Sequence, residues 1–246
     1  MQTGIIAAMS FEARILVGSR IEPGHPLSLQ NGVCLVLSGV GPHRAAEAAR
    51  KLIRGGASFL VSWGVAGSLS SALPSGSLIL AENVIAGHGT IFKTDPVMSD
   101  QIGKALNGCC SYHRGNLAAS DRVVNTDRER NRLYRSTGAV AVDMESAAIA
   151  QVAEEASVPF LAVRVILDSV QTVIPDCAIK SLDKYGRVRL IPFLLNIARN
   201  PSDARHLIAL APAYRKAKTT MTAVAPKIVQ SLKLRGASRS IGQEIF

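Results

Sequence analysis

A chain of 246 residues with 48% hydrophobic content fits one large α/β domain, and that apolar share is ample for a buried core. The formal net charge of +10 is local, since residues 1–179 carry 15 basic and 15 acidic side chains whereas residues 180–246 carry 13 against 3. A basic tail of this kind suits a solvated face or an anionic membrane surface; with 4% aromatic residues and no RNP-like or zinc-finger pattern, no nucleic-acid partner is expected.

Apolar runs of strand length occur in chain order at Thr3–Ala8, Val33–Ser38, Ser58–Trp63, Leu78–Ala81, Gly115–Ala119, Ala139–Val142 and Phe160–Leu167. Nearly continuous runs of this sort predict strands covered on both faces, a sheet sandwiched between helices. After the second run, Ser38-Gly-Val-Gly-Pro42 predicts a tight turn with Pro42 at the first position of an amphipathic helix over Arg44–Arg54. After the third, Gly64-Val-Ala-Gly67 predicts a glycine turn whose backbone N–H groups face a ligand or an anion. The charge-free stretch Gly55–Ala81 is broken by glycines, serines and Pro74, unlike a membrane span. Arg128-Glu-Arg-Asn-Arg132 reads as a solvated helix face; His88 reads as a solvated loop residue or a ligand contact, and Arg14 and Arg44 as candidate anion contacts or exposed helix positions.

Val142-Asp-Met-Glu145, a helical run and then Val163-Arg-Val-Ile-Leu-Asp168 predict a β-α-β unit with a carboxylate at the end of each strand. Two carboxylates so placed suit N-glycosidic bond cleavage, one gripping a ribose diol and one protonating the departing base. Beyond Asp168, Pro175, Pro192, Pro201, Pro212 and Pro226 are expected to mark off short helical segments, among them 202–211 and 213–234, which form a basic layer packed on the sheet. The cysteines Cys34, Cys109, Cys110 and Cys177 make no C-x-x-C pair and have no His at metal spacing; no structural zinc is expected, and the cytoplasm is the expected compartment. No basic region precedes an apolar core at the N-terminus, so no signal peptide is expected.

Gly4-Ile-Ile-Ala-Ala-Met-Ser-Phe-Glu12, Ser38-Gly-Val-Gly41, Gly64-Val-Ala-Gly67, Val142-Asp-Met-Glu145-Ser-Ala-Ala and Val163-Arg-Val-Ile-Leu-Asp168 stand in the order and spacing of one family. Over residues 3–170 the chain resembles the nucleoside phosphorylase and methylthioadenosine/S-adenosylhomocysteine nucleosidase superfamily. The resemblance implies a single domain over 1–246, with a twisted mixed sheet flanked by helices in the core 1–170 and a basic helical part in 171–246. By position, Asp168 resembles the acid that protonates purine N7. Glu145 resembles the glutamate that accepts from the ribose hydroxyls, with Met144 under the sugar and Asp143 beside it. Glu12 resembles the glutamate that activates water, and Arg164 an arginine near the ribose and the nucleophile. Gly64 and Val65 fall where relatives contact phosphate or ribose, and Val123 and Val124 fall in the segment lining the base pocket.

Three positions depart from the nucleosidase pattern: Val65 offers no hydroxyl, Leu167 stands where Ser usually precedes the acid, and Val123 replaces a Phe that stacks on adenine. In the tail, Ile174-Pro, Leu182-Asp-Lys-Tyr-Gly-Arg187 and Leu194-to-Pro201 are similar to the hopanoid-associated branch of the superfamily, which implies adenosylhopane as substrate. A nucleoside with an apolar 5' group would be met at a membrane surface, where each Lys or Arg near an anionic leaflet adds about 1 kcal/mol. No cofactor is implied, inorganic phosphate stands beside water as the alternative nucleophile, and a homodimer is what the resemblance implies. Two alternatives stay open: a methylthioadenosine/S-adenosylhomocysteine nucleosidase or purine nucleoside phosphorylase, and a non-catalytic nucleoside-binding protein that keeps the fold.

Overall fold

The computed structural model describes residues 2–29, 31–170, 183–187 and 202–238. Its nine strands form one mixed sheet: β1 (Gln2–Ala7), β2 (Leu27–Leu29), β3 (Val33–Leu37), β4 (Ala57–Ser68), β5 (Leu78–Ile85), β6 (Ile91–Lys93), β7 (Tyr112–Ala119), β8 (Ala141–Asp143) and β9 (Phe160–Asp168). The helices are α1 (Ser10–Val17), α2 (Pro42–Arg54), α3 (Pro96–Leu106), α4 (Asp127–Thr137), α5 (Ser146–Glu155) and α6 (Ser202–Ser238). All seven runs expected from the sequence are strands. The short β2 and β6 escaped the pattern because three residues, mostly exposed, are too few to display an alternation.

β4 is the organising strand. Its first half lies parallel to β1, and its second half joins a closed ring in which β4 pairs β9, β9 pairs β5, β5 pairs β7, β7 pairs β8 and β8 returns to β4. Closure leaves the short β2 and β6 as the ends of the sheet. The ring also corrects the β-α-β expectation. β9 runs parallel to β4 and β8 antiparallel to it, so β8 and β9 point opposite ways and their carboxylates approach from opposite directions. The predicted glycine turn at Gly64–Gly67 is likewise strand: it continues β4, paired with β9 from Gly64↔Arg164 to Gly67↔Asp168. Covered on both sides by apolar neighbours, the stretch gains more from ladder hydrogen bonds than glycine loses in backbone entropy, about 0.5–1 kcal/mol per residue.

Helices cover both faces. The small residues Ala45, Ala48 and Ala49 with Leu52 form the buried stripe of α2, which packs beside α5. β1 admits α2 closely because Gly4 has no side chain; a Cβ there would lie 2.9 Å from Leu52 Cδ1. On the opposite face α1, α3 and α6 enclose Phe59, Trp63, Met98 and Ile102. The inner stripe of α6 is Ala213, Ala217, Met221, Val224, Ile228 and Leu232, at helical spacing. α6 passes through Pro212 and Pro226 instead of stopping at them. Each proline costs about 3 kcal/mol inside a helix, but burying each large apolar side chain of that stripe returns about 1.5–3 kcal/mol. Both proline rings face solvent, as do Arg215, Lys216 and Lys218. Among the described residues no helix is long and apolar enough to cross a membrane. The tail motifs Ile174-Pro and Leu194-to-Pro201, and Pro175, Cys177 and Pro192, lie outside the described residues; of Leu182-to-Arg187, the part from Asp183 is described.

Candidate active site

Glu12 occupies the third position of α1, where its Oε2 accepts hydrogen bonds from the backbone N–H groups of Ala8 (3.1 Å) and Met9 (2.8 Å). Its Oε1 reaches across to β4 and accepts from the Val65 N–H at 2.9 Å. A helix-start glutamate reaching back to the N-cap amide is a common local device. Here the second oxygen adds a tertiary contact, and the predicted anion-binding amide of Val65 is occupied by the protein's own carboxylate. Burial pushes the Glu12 carboxyl above its ordinary range, against the three N–H donors and the charge of Arg164. Gly64 makes this fit possible, since a Cβ on it would lie 2.6 Å from Glu12 Oε1. Gly64→Ala is therefore expected to dislodge Glu12 and lower kcat/KM about 100-fold, the usual cost of a misplacement near 1 Å. Steady-state kinetics alongside thermal melting checks this, and a variant within twofold of wild type would refute the contact's importance.

Glu145 follows β8 and stands at the N-cap position of α5, with its side chain turned away from the helix amides. Its Oε1 accepts from the Gly41 N–H at 2.7 Å. The turn Ser38–Gly41 behaves as its glycines predicted, with φ of 88° at Gly39 and 105° at Gly41, a region that side-chain-bearing residues rarely enter. That turn serves to hold Glu145. Burial first and the neighbouring charge of Asp143 second raise the Glu145 carboxyl to about 7. The Gly41 N–H and Arg164 oppose the rise, and Glu12 adds to it.

Asp143 and Arg164 form a buried ion pair, with Arg164 Nε donating to Asp143 Oδ2 at 2.8 Å and Nη2 at 2.5 Å. Ser62 and Ser146 complete the network by accepting from Arg164 Nη2 at 2.5 and 2.9 Å. Asp143 is thereby engaged within the protein, on Arg164 and on the N–H and hydroxyl of Ser146. Arg164 makes no hydrogen bond to Glu12, although its charge acts on both Glu12 and Glu145. Glu12, Ser62, Gly64, Val65, Glu145 and Arg164 line one cleft, with Ile6, Trp63 and Ile149 supplying apolar wall.

Asp168 stands outside that cleft wall, at the far end of the Gly64–Gly67 stretch. The β4–β9 ladder slips between Ala66 and Gly67, so that Ile166 opposes Ala66 but Asp168, not Leu167, opposes Gly67. A bulge of this kind re-aims a side chain, and Leu167, the odd residue of the motif, is the one it passes over. The Asp168 carboxylate then lies over Gly67, where a Cβ would be 3.1 Å from Oδ2. Three residues of strand separate Gly64 from Gly67, about 10 Å, a span comparable to a nucleoside. Burial raises the Asp168 carboxyl above its usual range, countered by Arg130.

Arg130 is the residue that sequence reasoning misplaced. The run Arg128–Arg132 was expected to face solvent, and Arg128 and Arg132 do, but Arg130 is 3% exposed and pairs with Asp168. A helical wheel carries the signal, because Arg130, Leu133 and Thr137 share the inward face of α4. Met144 is half-buried between Asp143 and Glu145. Val124 packs on Leu69, Ala118, Ala139 and Val142, and Val123 is half-buried next to it; neither lines the cleft. Residues 183–187 cross the start of α1 and the Gly39 turn, with Lys184 O accepting from the Val40 N–H at 2.7 Å and Tyr185 O from the Ser10 N–H at 2.9 Å.

The profile of the phosphorylase superfamily matches residues 2–176. A 5'-methylthioadenosine/S-adenosylhomocysteine nucleosidase of Maridesulfovibrio salexigens is 30% identical over 200 residues, covering 69% of this chain and 87% of the relative. One from Baumannia cicadellinicola is 31% identical over 162 residues, covering 57% and 70%. Among solved structures, futalosine hydrolase of Helicobacter pylori superposes with a TM-score of 0.70 at 18% identity, covering 94% of this chain and 97% of that one. The Neisseria meningitidis 5'-methylthioadenosine/S-adenosylhomocysteine nucleosidase bound to methylthio-immucillin-A gives 0.68 at 21%, covering 94% and 99%. At these identities the structural matches speak for the fold.

Proposed function

The chain belongs to the phosphorylase superfamily, and from that membership we propose that it cleaves the N-glycosidic bond of a 5'-substituted adenosine and releases adenine. The observation that carries this reading is the set of three buried carboxylates, Glu12, Glu145 and Asp168, placed along the second half of β4. Glu145 accepts from the ribose hydroxyls. Asp168 gives its proton to purine N7, so the C1'–N9 bond breaks with its electron pair moving onto a neutral base while positive charge develops on the sugar. Water is the nucleophile: oriented by Glu12, it adds to C1' and yields its proton to that carboxylate. Arg164, fixed by Asp143, Ser62 and Ser146, supplies a stationary positive charge that opposes the burial-driven rise of the Glu12 and Glu145 carboxyls. Occupation of the Val65 amide by Glu12, and the absence of a hydroxyl at Val65, favour water over phosphate.

The substrate we propose is adenosylhopane, bound by a homodimer in the cytoplasm that meets the inner membrane surface peripherally. The outward basic residues Arg215, Lys216 and Lys218 of α6 support this, because the apolar stripe of that helix is already spent on the core and leaves charge as the means of contact. The nucleosidase relatives at 30–31% identity favour a second reading, in which the 5' group is a small thioether. Adenine release from adenosylhopane and from methylthioadenosine, each with and without phosphate and with vesicles containing anionic lipid, tests both. Adenine formed without phosphate, faster from adenosylhopane and faster still with vesicles, is the expected result. Preference for methylthioadenosine would establish the second reading, a requirement for phosphate would replace water as nucleophile, and no adenine under any condition would overturn the function.

A further inference from the structure

Arg130 has no part in the chemistry above, yet it is buried and its guanidinium makes directed contacts with the residues around Asp168. Nη2 meets Asp168 Oδ2 at 2.5 Å, while Nη1 donates to the carbonyls of Ser169 at 2.7 Å and Ser68 at 3.3 Å. Those carbonyls close β4 and follow β9, so the arginine is tied to the ends of both strands that position Asp168. The helix that carries it is anchored at its own start by Thr126, whose hydroxyl accepts from the Glu129 N–H at 3.3 Å. We propose that Arg130 is a positioning residue for the adenine-releasing reaction: it holds Asp168 through Oδ2, leaves Oδ1 to carry the proton, and balances the carboxylate that remains after transfer. The inference rests on the function proposed above.

The physical argument is one of charge that appears during the reaction. Before transfer, Asp168 is a neutral acid beside a guanidinium, a modest attraction. As the Oδ1–H bond breaks and N7–H forms, the electron pair stays on Asp168 and an ion pair arises in a water-poor site. An interaction stronger in the transition state than in the ground state accelerates the step, and a guanidinium keeps its charge across the working pH range. Burial alone would make Asp168 too weak an acid, retaining its proton where adenine needs it; Arg130 opposes that. Among the described residues the charged group that meets Asp168 is Arg130, while β4 presents Gly67 and Ser68, and Ser169 follows β9.

Arg130→Met and Arg130→Lys test this through the pH profile of kcat and through the ¹³C titration of the Asp168 carboxyl, assigned with Asp168→Asn. In Arg130→Met the carboxyl is expected to titrate about one unit or more higher, with the alkaline limb of kcat moving the same way. At the low-pH plateau kcat is expected to fall about tenfold or more, since a weaker acid transfers its proton less readily, while KM stays nearly constant. Arg130→Lys keeps the charge and should return both titrations close to wild type. A carboxyl titration unmoved in Arg130→Met, or a pH limb unmoved in an active variant, would overturn the role. Should Arg130→Met fail to fold, Arg130→Lys against wild type decides: a Lys variant titrating a full unit away would refute balance by charge. If the wild-type protein released no purine, the proposed reaction would fall, while the carboxyl titration would still report whether Arg130 governs Asp168.

Discussion

Asp168→Asn is expected to lower kcat for adenine release about 10²–10⁴-fold, the range that a general acid supplies. Asparagine keeps the shape of the side chain over Gly67 and still offers Arg130 an acceptor, but it has no transferable proton. KM is expected to change little, because Glu145, the proposed sugar grip, and the cleft around Glu12 are untouched. The same assignment fixes a sign for the wild-type pH profile. Burial holds the Asp168 carboxyl above its usual range, so the acid is loaded at lower pH, and kcat should decline as pH rises through the folded-state value. Steady-state kinetics from pH 5 to 9, with a melting curve for each protein, checks both statements. A variant within tenfold of wild-type kcat would remove Asp168 from the proton-donor role.

Glu145→Gln is expected to weaken nucleoside binding and at the same time stabilise the fold at alkaline pH. For binding, replacing a charged acceptor with a neutral one loses about 1.5–3 kcal/mol, or roughly 10- to 150-fold in affinity. For stability, the Glu145 carboxyl lies at about 7 in the folded protein, above the ordinary glutamate value of 4.5. Between those values the folded state binds more protons than the unfolded one, so stability falls as pH rises through the window, and the full penalty is present above it. At 1.36 kcal/mol per unit the penalty amounts to about 3 kcal/mol at pH 8. Glu12 and Asp168 shift in the same direction. Glutamine has no charge to bury, so the variant should melt higher than wild type at pH 8 and converge with it near pH 5. Substrate affinity of the wild type should fall below pH 7, as Glu145 gains a proton and loses acceptor strength. Equal melting temperatures at pH 8 would mean that the carboxylate is fully compensated in place, and unchanged affinity would move the ribose grip to another residue.

The sequence by itself determined the strand-length apolar runs, the order of β and α elements, and the Gly39–Gly41 turn with Pro42 opening α2, while the three carboxylates became candidates through the family resemblance of their motifs. The runs and the turn are local or periodic properties: an apolar run has few ways to be buried, and a φ near 90–105° as at Gly39 and Gly41 asks for glycine. The amphipathic stripe of the last helix was legible too, because side chains at spacings of three and four must share a face. What tertiary structure alone decided is where each polar group spends its hydrogen bonds. Nothing near Val65 in the chain announces that Glu12, 53 residues earlier, takes its amide, nor that Gly41 serves Glu145 across 104 residues. The ring closure that turns β8 against β9 depends on pairing between distant strands, and the continuation of β4 through Gly64–Gly67 depends on β9 being there to pair with it. Arg130 is the sharpest case. Its neighbours Arg128 and Arg132 are solvated as charge alone would dictate, but α4 turns the middle arginine inward toward a buried carboxylate that lies 38 residues away. A buried charge is tolerated where a partner waits for it, and only the fold determines who that partner is.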